Sequence, residues 1–369
     1  MGMSPTSRRA RVRALTGLSA LALAATGFAA APAAQADQPG SEFAGQSHPY
    51  RHGAVPTKEA AAHANTASAA ANRTSNLRYG GAVDGIGVTT GAPKVYVVIW
   101  GSQWGTQGTD ANGYTTLSGD PSGEAVRAQQ LYKGLGANNE LWSGVLTQYC
   151  QGVAKGATTC GSTAAHVGYP TGGALAGVWV DESAAAPGQA TGNQIAAEAV
   201  KAAGHFGNTT AASNRNAQYV VLSPTGTHPD GFNTSTGNFC AWHDWNGDTT
   251  LTGGAAPSPY GDIAFSNDPY VTDMGSSCGQ NYVNSGSAGT LDGVTIVYGH
   301  EYAETVTDQN PAGGWTDSTG AENGDKCAWK GTGGTGGAQN VSFSTGSLPM
   351  QATWSNLNSS CQISHAIVH

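Results

Sequence analysis

From residue 94 onward the apolar positions switch between a period of two and a period near 3.6. Lys94–Trp100 (KVYVVIW) is almost wholly β-branched or aromatic, the pattern of a buried strand. Residues 123–135 (GEAVRAQQLYKGL) carry apolar side chains at helical spacing. A short strand is predicted at 177–180 (GVWV). An Ala-rich helix follows at 192–206, with Ile195, Ala199 and Ala202 on one face. Residues 218–222 (QYVVL) predict another buried strand, 239–245 and 262–265 shorter ones, and 291–307 a helix. Beyond Thr307 the chain is rich in Gly and Ser, with weak strand patterns at 341–343 and 351–354. Strands and helices in this alternation predict one α/β domain over residues 91–369 with an irregular Gly-rich C-terminal part.

The N-terminal quarter reads differently. Arg8, Arg9, Arg11 and Arg13 precede an apolar Ala/Leu run at 15–31 and a small-x-small site, Ala34-Gln35-Ala36. This is the layout of a secretory signal peptide spanning 1–36. Residues 37–90 are poor in large apolar side chains, which predicts a low-complexity arm or pro-segment with a weak helix at 58–71.

Composition then narrows the partners. Removing 1–36, which holds four arginines and no acids, takes the formal charge from −8 to −12. An acidic chain lacks the basic surface needed for nucleic acid or anionic membrane. No membrane association is expected after signal cleavage. Only 11% of residues are charged, while 54 are Gly, which suits a loop-rich extracellular protein. Cys150, Cys160, Cys240, Cys278, Cys327 and Cys361 form an even set without a C-x-x-C pair. Three disulfides between sequence neighbours are expected: Cys150–Cys160, Cys240–Cys278 and Cys327–Cys361.

The candidate chemistry sits in VTIVYGHEYAETVTD, residues 294–308. His300, Glu301 and Glu304 form H-E-x-x-E, one letter from the H-E-x-x-H helix of zinc peptidases. Residues i and i+4 share a helix face, so His300 and Glu304 can reach one ion. Glu301 lies about 100° round the helix, where it can serve as general base. Carboxylate oxygen is a good zinc ligand, although a second carboxylate in place of histidine makes a more anionic site and a weaker Lewis acid. The same five letters also occur on ordinary solvated helices. Val294, Ile296 and Val297, just before the motif, argue that this helix is buried, where charged groups need partners. Asp317, Glu322 and Asp325 are candidates for a third ligand. Glu322 is favoured, with Asp325 orienting the His300 ring. Both could instead cap turns in a Gly-rich loop. His243-Asp244 is a second, weaker His–carboxylate pair; His228 and His365 are isolated. The element order is also that of zincin metallopeptidases: a mixed sheet, a backing helix and an active-site helix.

Several pieces together resemble the EXORDIUM-like, or phosphate-induced, proteins. They are Tyr79-Gly80-Gly81, Ile99-Trp100-Gly101, Asn238-Phe239-Cys240, Cys278, Asp292-Gly293, His300-Glu301-x-x-Glu304, Glu322-x-x-Asp325-x-Cys327 and the run 331–337. They span roughly residues 79–337. The tail 354–369 and the Cys150/Cys160 pair have no counterpart, and the spacings differ. The resemblance implies an extracellular or wall-associated protein and places the two acidic motifs in one site; it implies no particular reaction. Two functions stand open: a secreted metal-dependent hydrolase, zinc-loaded and acting on extracellular polypeptide, or a non-catalytic protein binding a surface partner or cell-wall polymer with a structural or vestigial metal site.

Overall fold

A computed structural model describes Met1 and residues 53–64, 75–235 and 237–369. The signal peptide expected at 1–36 lies outside the described residues, as does the stretch 65–74 of the arm.

In chain order, β1 (Val55–Pro56) and α1 (Lys58–Ala64) precede β2 (Arg78–Tyr79) and β3 (Lys94–Trp100). A small hairpin, β4 (Gln107–Thr109) with β5 (Thr115–Leu117), leads to α2 (Glu124–Gly134). A second, β6 (Cys150–Gln151) with β7 (Ala165–His166), leads to β8 (Leu175–Asp181). Then come α3 (Gly192–His205), α4 (Ala211–Asn214), β9 (Ala217–Leu222), β10 (Phe239–Trp245), β11 (Ala264–Asp268) and α5 (Asp292–Thr307). β12 (Trp315–Thr316) pairs with β2. The C-terminal part, expected to be irregular with weak strands at 341–343 and 351–354, forms two antiparallel pairs: β13 (Gln339–Phe343) with β14 (Gly346–Met350), and β15 (Thr353–Ser355) with β16 (Ser360–Gln362).

The central sheet is mixed, in the order β1-β10-β11-β9-β3-β8. β8, β3, β9 and β11 run parallel, and β10 turns antiparallel. The near-continuous apolar runs of β3 and β9 are explained by cover on both faces. Alternate residues of β9 show this directly. Gln218 donates to Thr305 Oγ1 of α5 at 2.9 Å. Its neighbour Tyr219 points the opposite way, stacking on Tyr96 and bonding Asn214. α3 starts cleanly because Thr191 and Gln194 form a reciprocal capping box. α2 starts on Asp120, whose carboxylate accepts from the amides of Gly123, Glu124 and Ala125.

α5 is buried along all 16 residues. It has no solvent-exposed face, because β10 and β11 lie on one side and α2 and β14 on the others. The three expected disulfides are all present. Part of the stretch expected to bury little joins the core: Ala54, Val55, Leu77, Tyr79 and Val88 are buried. The reason is pairing. β1 adds to the free edge of β10, so two residues of strand bury without an apolar run. Among the described residues no helix is long and apolar enough to cross a membrane.

Candidate metal centre

Three segments carry the acidic and imidazole groups to one place beside the sheet. α5 presents His300 and Glu304 one turn apart, with His300 Nε2 2.9 Å from Glu304 Oε1. The turn at 322–325 approaches from the loop after β12. Asn323 pins it by donating to Ala303 O and Thr307 Oγ1 of α5, and Trp354 N donates to Asn323 O. The Cys327–Cys361 bridge ties its far end to β16. The third segment is β10. Its residues alternate between the two faces of the sheet, and His243, paired opposite Ser266, reaches the acidic groups of α5 and the turn.

Two triplets result, His300–Glu304–Asp325 and His243–Glu304–Glu322, each with its ligand atoms within 4.8 Å of one another. They share Glu304, one oxygen toward each histidine: Oε1 by His300 Nε2, and Oε2 3.9 Å from His243 Nε2. Asp325 Oδ1 is 3.6 Å from His300 Nε2, on the ligand side of the ring. At the other ring nitrogen, Nδ1, stands Gln351 Oε1 at 3.2 Å, and Gln351 Nε2 donates to Gly324 O. Glu322 faces His243, both carboxylate oxygens 3.2 Å from Nε2. The turn itself is closed by Glu322 N donating to Asp325 Oδ2, and Asp325 N donates to Glu304 Oε1.

Asp317 belongs elsewhere. It pairs with Lys326 Nζ at 3.0 Å and accepts from Thr319, so it braces the loop. His228 and His365 join neither triplet; their Nδ1 atoms lie against the carbonyls of Phe232 and Ala366. His243 stood in the sequence as the weaker pair, and the one local signal for it was its place in an alternating strand. Gln351 carried no signal at all.

The electrostatics are those of an over-charged interior. His300, Glu301, Glu304 and His243 have no exposed surface, and Glu322 has 1%. Burial pushes Glu304 up to about 7, with Asp325 adding to the rise and His300 opposing it. Burial likewise drives Glu322 well above the usual carboxylate range, reinforced by Asp308 and Glu304. Burial alone would lower His300, but Glu304 and Asp325 outweigh it and hold the imidazole well above its ordinary value. Glu301 is raised by burial, with His300 opposing. Neither of its carboxylate oxygens meets a hydrogen-bond partner among the described residues. A buried carboxylate without a donor is costly, and a cation is the ordinary remedy. Three acids and two imidazoles in these triplets are a donor set that fits a divalent metal, and zinc accepts both atom types.

Comparison of the chain with protein-family models, with curated proteins and with solved structures gives no match.

Proposed function

We propose that this chain is a secreted metal-dependent hydrolase whose centre is built on the H-E-x-x-E helix α5. The observation that carries the reading is Glu301: a fully buried carboxylate that accepts no hydrogen bond, one residue from His300 and three from the shared Glu304. His300, Glu304 and Asp325 would hold one divalent ion, His243, Glu304 and Glu322 a second, with zinc the best fit to the donors. A bound divalent ion supplies Lewis acidity at the scissile carbonyl and to water. The chain supplies the proton chemistry. Glu301 takes the proton of the attacking water and delivers it to the leaving amine, so one water is added across one C–N bond. Gln351 holds the His300 ring in the orientation that turns Nε2 toward the acids. The three disulfides support an oxidising, extracellular location. The ordered motifs from Tyr79 to the 331–337 run support kinship with the EXORDIUM-like proteins.

Elemental analysis of the purified protein tests the centre. The expected result is two divalent ions per chain, reduced by His243→Ala and by His300→Ala. A metal-free protein that takes up no added zinc removes the centre. Turnover tests the chemistry, with Glu301→Gln keeping metal and fold but losing hydrolysis of peptide substrates. The rival reading, a non-catalytic binding protein with a structural ion, is favoured by one observation: the cluster is sealed. It stands if the metal is held and neither the full chain nor a variant with β1 unseated hydrolyses peptide or ester panels.

A further inference from the structure

The seal over the cluster is a strand that belongs to the arm. β1 extends the central sheet beyond β10, antiparallel, with Val55 opposite Ala241 and Pro56 opposite Phe239. Thr57 N donates to Asn238 O at 2.9 Å, and Trp329 Nε1 donates to Pro56 O at 2.6 Å. All of residues 53–57 are buried. Without them β10 would be an edge strand, with a row of backbone donors and acceptors open to any extended chain. The same strand brings His243 to the cluster, so whatever pairs with β10 passes over the acids.

Gly53 marks how close that passage is. Its backbone is left-handed, φ +53°, and a Cβ placed on it would stand 2.3 Å from Glu304 Oε2 and from Cδ2 and Nε2 of His243. Real Cβ atoms do not approach so near. The main chain therefore lies directly on the shared carboxylate and on one histidine, with nothing between. A folded domain cannot bring its backbone to such a place. An extended segment can, and so can one whose local side chain is absent or turned away.

We infer that the β10 edge is the substrate-docking surface for extended polypeptide, and that residues 53–57 are its resident occupant, holding the enzyme latent. This rests on the hydrolase reading and names its substrate class. Recognition by strand addition uses the backbone ladder, so it is tolerant of sequence and unsuited to a polysaccharide, which has no alternating N–H and C=O groups to pair. The arm has a further advantage over any substrate in solution. It is tethered, and a short tether gives an effective concentration of about millimolar, far above that of an extracellular peptide. Its pairing is a two-residue strand, with the Thr57 amide on Asn238 O and the Trp329 indole on Pro56 O, so displacement or cleavage of the arm opens the site.

The test uses the full chain loaded with zinc. Gly53→Val places a branched side chain where no Cβ fits and where the backbone angle disfavours it, so the strand leaves the site. Val55→Asp unseats the same strand through its buried side chain and serves if the first variant folds poorly. A labelled synthetic peptide of sequence HGAVPTK is titrated and followed by anisotropy. Binding to either variant, with the wild type at least tenfold weaker, is expected. Amide exchange in 238–241 should accelerate in the variants and slow again with peptide. Equal binding to wild type and both variants, or binding to none with exchange unchanged, overturns the inference. Hydrolysis of unfolded casein separates the two readings. Peptide binding without turnover leaves the docking surface standing and removes the hydrolase. Turnover that is the same in wild type and both variants, with no peptide binding, keeps the hydrolase and removes the latch.

Discussion

Glu124 and Glu301 are both carboxylates with no exposed surface, on helices that pack against each other, and their surroundings are opposite. Glu124, in the first turn of α2, accepts from Thr272 N at 2.8 Å, Thr272 Oγ1 at 2.6 Å, Val271 N at 3.2 Å and the Tyr298 hydroxyl at 3.0 Å. The helix N-terminus adds a favourable dipole. Glu301, in the middle of α5, accepts nothing among the described residues. One carboxylate is a joint between α2 and the 271–278 turn. The other is held in the interior without a hydrogen-bond donor, with only the neighbouring His300 to favour its charge. A fold that supplies four donors to one buried acid has the means to satisfy another, so the isolation of Glu301 points to chemistry rather than to packing.

The largest effect that sharpens this contrast is on turnover. Glu301→Gln removes a proton acceptor and keeps the shape. General-base catalysis is worth about 10²–10⁴-fold, and the loss in kcat/KM should fall in that range with metal content unchanged. Full activity in this variant would break the comparison from the Glu301 side. Next comes the ion. Chelation should lower the unfolding free energy by about 4 kcal/mol if zinc is present at a thousandfold excess over its Kd. A protein indifferent to chelator in a thermal melt leaves the crowded acids without their cation. Smaller again is Glu124→Ala. Each hydrogen bond contributes ~0.5–1.5 kcal/mol net, and orphaned donors cost ~1–3 kcal/mol, so a loss of about 3 kcal/mol is expected. Glu301→Gln should show no such loss in urea unfolding. Equal destabilisation by the two variants would mean that both acids are structural.

How much of this was legible follows the range of each interaction. His300 and Glu304 were readable because a one-turn spacing is local and survives any tertiary arrangement. The disulfides were readable because each closes on its next cysteine along the chain, at separations of 10, 38 and 34 residues. The strands of the central sheet other than β1 were readable from apolar runs, and α5 from the buried turn before its histidine. His243 was undervalued because its position depends on β10 reversing direction beside β11, a choice of topology that no local pattern encodes. Glu322 and Asp325 were seen together but not their division between two histidines, which is set by the tight turn that points the carboxylates apart. The hold of Gln351 on His300 spans 51 residues and comes from a stretch in which the sequence showed only a weak strand pattern. The seating of residues 53–57 was invisible for a physical reason: an added strand is held by backbone bonds, and backbone bonds leave no trace in composition.

The last effect concerns pH, and it tests Glu124 from its own side. Burial pushes its carboxyl from an ordinary 4.5 up to about 8, with Asp120 adding to the rise, against the bonds donated by Thr272 and Tyr298. The folded chain therefore binds this proton more tightly than the unfolded chain does. Stability from the group is fully present below about pH 4.5, and it is lost as pH rises toward about 8. Glu198 is raised to about 8 as well, by burial and by Asp181, so the wild-type slope contains more than one acid. The difference between wild type and Glu124→Gln isolates the one wanted. Urea unfolding across pH 4.5–8, in metal-free protein, should show stability falling with pH in the wild type and falling less steeply in the variant. Identical slopes would mean that the four donors hold Glu124 ionised throughout. That result would sharpen the contrast further, since the satisfied acid would then keep its charge in the same interior where Glu301 has no hydrogen bond to hold its own.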